Sequence, residues 1–228
     1  MRKEKRNTSE FLFSMIYDNI NIGSGNMKIN YQLKLDEILS SLPKDRKPSL
    51  FLHSCCGPCS SYVLEYLKEY FEITVFYYNP NITEEVEYQH RVEEQQRLIH
   101  LVYPDVHFLE GMYSSQTFLE MSRGLENEPE GGIRCTRCFY LRMNETAKMA
   151  KELGFDYFTT TLSISPYKDS EKLNQIGEKL EQQYGVFYLY ADFKKRNGYK
   201  RSIELSKQYH LYRQDYCGCE FSKKRCEI

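Results

Sequence analysis

The chain has 228 residues, 41% of them hydrophobic and 28% charged, with a formal net charge of −1. That is enough apolar material for one large domain with additions, or at most two small ones. The balanced charge excludes a molecule-wide basic field of the kind that gathers nucleic acid, so any RNA contact has to be a local patch. Aromatic residues make up 14%, with 20 tyrosines and no tryptophan; composition suits them equally to a core and to stacking on bases.

In chain order, Met1 to Arg6 is basic, but the apolar run that follows, Phe11 to Ile16, is cut off by Asp18. It is too short for the apolar core of a signal peptide or for a membrane span, so a cytoplasmic location is expected. Residues 1–30 show little periodicity, with Asn21, Gly23, Gly25 and Asn26 as breakers. They read as a loose start to an N-terminal extension covering 1–46, whose short helix at 31–42 is ended by Pro43. A single α/β catalytic domain is expected over 47–228.

Within it a buried strand at 49–53 leads through Ser54-Cys55-Cys56-Gly57-Pro58-Cys59 into a helix at 60–70, with Pro58 suited to a first helical turn. The alternation continues with a strand at 73–77, a helix at 83–102, a strand at 106–109, a helix at 135–153 and a strand at 157–161. A helix at 170–184 closed by Gly185, a strand at 186–190 and a helix at 199–209 complete it. Strand–helix repetition with buried strands predicts a parallel sheet covered on both faces, with ligands beyond the carboxyl ends of its strands. There is no internal repeat and no low-complexity segment.

The eight cysteines fall in four places. Cys55, Cys56 and Cys59 lie where a strand gives way to a helix, so their thiolates feel the helix N-terminus. Cys135 and Cys138 form a CxxC pair after Gly131-Gly132, flanked by Arg134 and Arg137, which can offset negative charge. Cys217 and Cys219 form a CxC pair. Cys226 stands alone, and a small buried apolar residue is its bland reading. In a reducing compartment disulfides are not expected, so seven grouped thiols point to metal or redox chemistry. Structural zinc competes with an iron–sulfur cluster. A CxxC half-site suits zinc, whereas CCxxC and CxC do not follow zinc-ribbon spacing, and seven thiolates exceed one tetrahedral ion. They can serve one four-cysteine cluster plus a three-ligand metal with an open position.

There is no phosphate-binding GxxxxGK[ST] and no GxGxxG. The stretch Asp105 to Gly111 approaches the DxHxxG signature of cobalamin proteins, but its glycine falls one residue late and it reads as an ordinary strand edge. Two basic stretches stand out, 194–201 and Lys223-Lys224-Arg225. In the first, Phe193 and Tyr199 interleave Lys194, Lys195, Arg196, Lys200 and Arg201, which suits RNA and equally a solvated charged turn. Ser165-Pro166-Tyr167-Lys168-Asp169 is a cap and turn at the predicted ligand-binding rim.

Taken together, 52–59 (LHSCCGPC), 135–143 (CTRCFYLRM), 158–168 (FTTTL…SPYK) and 212–219 (YRQDYCGC) resemble the QueH family of epoxyqueuosine reductases, over roughly residues 48–222. The resemblance implies an α/β, Rossmann-like (HUP-type) parallel sheet with helices on both faces, plus a cysteine-bearing C-terminal segment. It implies reduction of epoxyqueuosine to queuosine at the wobble position of a tRNA, the epoxide oxygen leaving as water. By matching positions it implies a [4Fe-4S] cluster on Cys55, Cys56, Cys135 and Cys138. A second metal ion, iron, would be held by Cys59, Cys217 and Cys219, without cobalamin. Some members carry Asp where this chain has Cys59, which keeps the anionic charge and changes its softness. The partners implied are tRNA and an electron donor, with no membrane. Lys194, Lys195, Arg196, Tyr199, Lys200 and Arg201 are the candidate tRNA contacts. Tyr167, Lys168 and Tyr216, with Asp169, are candidate proton donors by type. The competing readings are a cluster-dependent tRNA-thiolating enzyme of the ATP pyrophosphatase kind, which needs a phosphate loop where this chain has cysteines, and a non-catalytic zinc protein binding RNA or a partner.

Overall fold

A central strand of five residues, Ser49–His53 (β1), is buried along almost its whole length because both faces of the sheet are covered. The computed structural model describes residues 29–226, with side chains as far as Lys223. The expectations for residues 1–28, and for the side chains of Lys224, Arg225 and Cys226, lie outside the described residues.

From Tyr31 onward the chain is one compact unit. In order it runs α1 (Tyr31–Ser41), β1, α2 (Gly57–Leu67), β2 (Glu72–Tyr77), α3 (Glu85–Val102), β3 (His107–Glu110) and α4 (Ser115–Ser122). Then come α5 (Ile133–Leu153), β4 (Tyr157–Thr160), a 3-10 turn (Thr161–Ile164), α6 (Ser170–Tyr184), β5 (Phe187–Tyr188), α7 (Gly198–Gln208) and α8 (Glu220–Cys226). The five strands are all parallel, in the order β3-β2-β1-β4-β5, as the strand–helix alternation predicts. None of the helices among the described residues is long and apolar enough to cross a membrane.

Alternate residues of β1 face opposite ways. Leu50 and Leu52 pack with Val63, Leu64 and Leu67 of α2, Leu98 and Ile99 of α3, and Leu35 and Leu39 of α1. Phe51 stacks against Phe76 at 4.8 Å and meets Phe155 at 4.7 Å. On α5, Met143, Ala147 and Ala150 form a buried stripe.

Strand order reverses between β1 and β4: the chain builds outward to β3 on one side, then crosses to β4 and β5 on the other. The gap above the carboxyl ends of β1 and β4 is where such a sheet leaves a ligand crevice. The chain places Cys55 and Cys56 directly after β1 and Thr161 directly after β4.

Several elements differ from the periodicity. The second and fifth helices start earlier than expected, at Gly57 and Ile133, so Cys59 and Cys135 lie in first turns and Cys138 in the second. The last strand shrinks to Phe187–Tyr188, because side chains take the backbone groups beyond it: Thr159 donates to the Leu189 carbonyl, and Asn174 bonds both the N–H and the carbonyl of Ala191. Helices α4 and α8 were not legible: each is short, and α8 follows a glycine and two cysteines whose spacing advertises metal rather than helix.

Candidate metal centre and reaction cavity

Cys56 is the residue before α2, with extended backbone and no side-chain cap. The chain turns there, and Cys59 comes back one helical turn later. The Sγ atoms of Cys55, Cys56 and Cys59 lie within 4.8 Å of one another, with Cys55 and Cys56 at 3.9 Å. Cys217 and Cys219 bring their Sγ atoms to 3.4 Å. Ser222, on the first turn of α8, sets its hydroxyl 3.2 Å from Cys217 Sγ and 3.4 Å from Cys219 Sγ. The backbone N–H of Gly131 donates to Cys135 Sγ at 3.3 Å.

Two adjoining cavities collect these groups. The larger, of about 390 Å³, is lined by Cys55, Cys56, Cys59 and Cys217, with Lys168, Tyr167 and Tyr216 on its wall. The smaller, of about 30 Å³, is lined by Cys135, Cys138, Cys217 and Cys219. Cys217, Arg142, Tyr167 and Lys168 line both. Seven thiols from three distant stretches of chain therefore meet at the carboxyl edge of the sheet. Within that assembly Cys59 lies within 4.8 Å of Cys55 and Cys56, and Cys138 packs in one apolar cluster with Cys219, Phe118 and Cys217.

The electrostatics separates one thiolate from its neighbours in each tight group. Hydrogen bonds from the Cys56 and Cys59 thiols hold Cys55 well below the usual thiol range, with Lys168 and Arg142 adding to the effect. Donating to Cys55 pushes Cys56 up to about 11. In the same way the Cys219 thiol stabilises the Cys217 thiolate, and burial pushes Cys138 up to about 11. Burial works to depress Lys168, but the charges of Cys55, Cys59 and Cys217 outweigh it and keep the ammonium protonated. Soft anionic donors offset by buried cations are the donor chemistry that an iron–sulfur centre or a thiolate-bound ion requires. The residues present fit such a group.

Buried polar side chains that the sequence reading did not single out fix the site. Arg142 donates to Asn79 Oδ1 and points Nη1 at Cys138 Sγ, 4.0 Å away. Asn79 Nδ2 donates to the Ser54 carbonyl at 2.8 Å. His53, wholly buried, is depressed to about 3 by burial first and then by Arg142, so it is neutral. Its Nε2–H donates to the Tyr78 carbonyl at 3.1 Å, and Nδ1 accepts from the Thr160 hydroxyl at 2.8 Å. Thr161 accepts from Cys55 N–H at 3.2 Å and donates to Cys55 Sγ at 3.4 Å. Arg142 carried a signal: it stands four residues after Cys138 on one helix, hence on the same face. Arg134 lines the smaller cavity and its charge favours the Cys135 thiolate, as expected, while its guanidinium is fixed by donating to the Leu125 and Glu126 carbonyls at 2.7 and 3.0 Å.

Helix α3 clamps the C-terminal cysteine segment. Arg91 is buried, pairs with Glu87 at 2.7 Å, donates to the Cys217 carbonyl at 3.4 Å and covers the Tyr216 ring at 5.2 Å. Asn81 Nδ2 donates to the same Cys217 carbonyl at 3.0 Å, and Thr83 N–H to the Gly218 carbonyl at 3.2 Å. Gly218 has φ +103°, and a Cβ there would stand 2.7 Å from Ile82 Cγ1. Arg91 also had a signal, being a cation on the otherwise buried stripe of Tyr88, Val92 and Gln95.

Of the proton-donor candidates, Tyr167 is 79% exposed at the rim, and Lys168 lies against the thiolates. Tyr216 is half-buried, its phenol pKa raised by burial and then by Glu87. Asp169 caps α6, its carboxylate accepting from Glu171 N–H at 2.9 Å and Lys172 N–H at 3.4 Å. Among the basic candidates, Lys194 bonds Asp192 at 2.9 Å, Arg196 pairs with Asp36, and Arg201 grips Glu65 at 2.8 and 2.9 Å. Lys195 and Lys200 are exposed and Tyr199 is half-buried. Phe193, expected to stack beside them, is 1% exposed and belongs to the main core: an apolar ring gains more from the core than from a wet surface.

Comparison with known proteins identifies the family. The family model described as epoxyqueuosine reductase QueH matches residues 50–225. The epoxyqueuosine reductase QueH of Streptococcus pyogenes serotype M1 is 43% identical over 204 residues, covering 87% of this chain and 80% of that protein. Its counterpart from Staphylococcus epidermidis is 42% identical, covering 86% of each, and that of Thermotoga maritima is 32% identical over 177 residues, covering 76% and 90%. Among solved structures, a phosphoadenylyl-sulfate reductase from Candida auris aligns over 82% of this chain and 91% of its own, at 12% identity and a TM-score of 0.38. With the family model matching most of the chain and spanning all three cysteine groups, the chain belongs to the QueH family of epoxyqueuosine reductases.

Proposed function

We propose that this protein reduces epoxyqueuosine to queuosine at the wobble position of tRNA. The observation that carries the reading is the meeting of seven thiols around two adjoining cavities at the carboxyl edge of the sheet, in a chain of this family. The overall change takes two electrons and two protons: both C–O bonds of the epoxide break, a C=C bond forms, and the oxygen leaves as water. The residues that would hold a [4Fe-4S] cluster are Cys55, Cys56, Cys135 and Cys138, and Cys59, Cys217 and Cys219 would hold a second ion, iron. When bound, these groups supply single electrons and a Lewis acid, with no need of cobalamin.

The chain's own part is to place charge and protons. The Lys168 ammonium stands in the cavity wall, where negative charge develops on the departing oxygen, and supplies a proton there. Tyr216 keeps its phenolic proton and closes the wall under Arg91. Tyr167, at the rim, contacts the substrate from outside. The catalytic unit spans 47–228, and of the 1–46 extension the helix α1 is packed into the same core through Leu35 and Leu39. A tRNA substrate places the enzyme in the cytoplasm, where an electron donor must serve it.

The test is metal analysis with turnover. Protein purified without oxygen is expected to be brown, to bleach with dithionite and to convert epoxyqueuosine-containing tRNA. In Cys217→Ser the colour should remain while turnover is lost; loss of the cluster in that variant, or intact turnover, overturns the two-site assignment. A second reading has one observation in its favour. Two thiolates on one tetrahedral ion at about 2.3 Å stand about 3.8 Å apart, and Cys55 and Cys56 stand at 3.9 Å. A colourless protein with one tightly held zinc would establish that reading instead.

A further inference from the structure

We propose that the RNA is gripped at the cavity mouth by Tyr199 and Arg213, with Lys195 and Lys200 beside them, and that Lys194, Arg196 and Arg201 are structural and take no part. This assignment rests on the reading that the substrate is a nucleotide in an RNA loop. Single-stranded RNA needs two things from a protein: an accessible aromatic face for an unstacked base, and cations whose charge is not already neutralised.

The basic stretch after β5 divides on that second requirement. Arg201 makes two bonds to Glu65, at 2.9 and 2.8 Å, and a third to Glu204 at 3.4 Å. Arg196 is paired with Asp36. Lys194 is half-buried, donating to Asp192 at 2.9 Å and to the Ser163 carbonyl at 3.2 Å. A phosphate approaching any of these meets a carboxylate as well as a cation, and the pair offers it little net attraction. These three tie α7 and the loop before it to α1, α2 and the 3-10 turn.

Arg213 is different. It is exposed, its guanidinium donates to a neutral partner, Ser206 Oγ at 3.2 Å, and it lines the same cavity as Tyr199 and Ser202. Tyr199 reaches that wall because of the turn before it. Arg196 and Asn197 both take left-handed backbone, φ 51° and 63°. Gly198 then sits so close that a Cβ there would run into the Phe193 carbonyl. The turn sends Phe193 into the core and starts α7 with Tyr199 facing the cavity that holds Cys55, Cys59 and Lys168. Lys195 and Lys200, both exposed, flank this turn.

The experiment is equilibrium binding of a fluorescent anticodon stem–loop RNA with unmodified guanosine at the wobble position, across a salt series, to the full chain. Because the probe carries no epoxide, binding is read without turnover. Tyr199→Ala should weaken binding by about 5- to 160-fold with an unchanged salt slope, and Tyr199→Phe should restore it, as expected for loss of one stacked base. Arg213→Ala should weaken binding and lower the salt slope by about 0.7, the value for one phosphate contact on a single strand. Lys195→Ala with Lys200→Ala should act in the same direction. Arg196→Ala and Arg201→Ala should bind as the parent does while melting at lower temperature. The assignment is overturned if those two variants lose affinity with a reduced slope, or if Tyr199→Ala and Arg213→Ala, shown folded by circular dichroism, bind as the parent does. If the pattern holds but epoxyqueuosine is not reduced, the functional reading fails and the RNA site stands.

Discussion

Asn79 is buried and uses both ends of its amide, accepting from Arg142 and donating to the Ser54 carbonyl. It thus ties the turn that carries Cys55 and Cys56 to the helix that carries Cys138. Replacing it with leucine leaves a buried guanidinium and a carbonyl without that partner, which costs about 1–3 kcal/mol. Asn79→Leu should lower the melting temperature and the iron bound per chain together; unchanged iron content would show that the tie does not hold the centre. At the opposite end of the sheet, Asp156 accepts from Ser49 N–H at 2.9 Å and pairs with Arg46 at 3.1 Å. The Arg46 hydrogen bond first, and Ser49 next, hold its carboxyl below the usual range. Its contribution is therefore fully present above its unfolded pKa of about 3.9 and is lost as pH falls through the depressed folded value. In urea unfolding at pH 7 and pH 3, Asp156→Asn should lose about 1 kcal/mol at the higher pH and less at the lower. An equal loss at both would mean that the charge is not involved.

Helix α3 does two jobs on two faces. Leu98 and Ile99 join the core, while Arg91 and Glu87 hold the segment bearing Cys217 and Cys219. Truncating Arg91 leaves Glu87 half-buried without its cation, a loss of about 3 kcal/mol by analogy with broken buried ion pairs. Arg91→Met should destabilise by that order in denaturant and free the C-terminal segment, seen as new cleavage near Cys217 in limited proteolysis. Gly218→Ala should act on the same segment through backbone strain, since φ +103° and the 2.7 Å approach to Ile82 leave no room for a methyl group. If both variants keep parental proteolysis patterns, the clamp is not what holds the segment.

The fold and the centre are coupled, because three distant parts of the chain bring their thiols together there. Any group bound there stabilises the folded state by an amount that grows with the logarithm of its affinity, and its loading displaces protons from thiols such as Cys56 and Cys138. Metal-stripped protein should melt lower than loaded protein, and reloading in weak buffer should acidify the solution. No change in either would show that the thiols are not ligands. As for legibility, the strand–helix alternation and the parallel sheet were readable because apolar periodicity is local, and the cysteine groups because thiol spacing within one turn is local too. The family motifs lay in those same short stretches. The cations at 194–201 looked alike in the sequence. Only folding separated them, because Arg201 meets Glu65 across 136 residues and Arg196 meets Asp36 across 160. The clamp of Arg91 on Cys217, 126 residues away, was hidden for the same reason. What a side chain is near in the chain sets its element and its chemical type; what neutralises, buries or aims it comes from residues that only the packed sheet brings within reach.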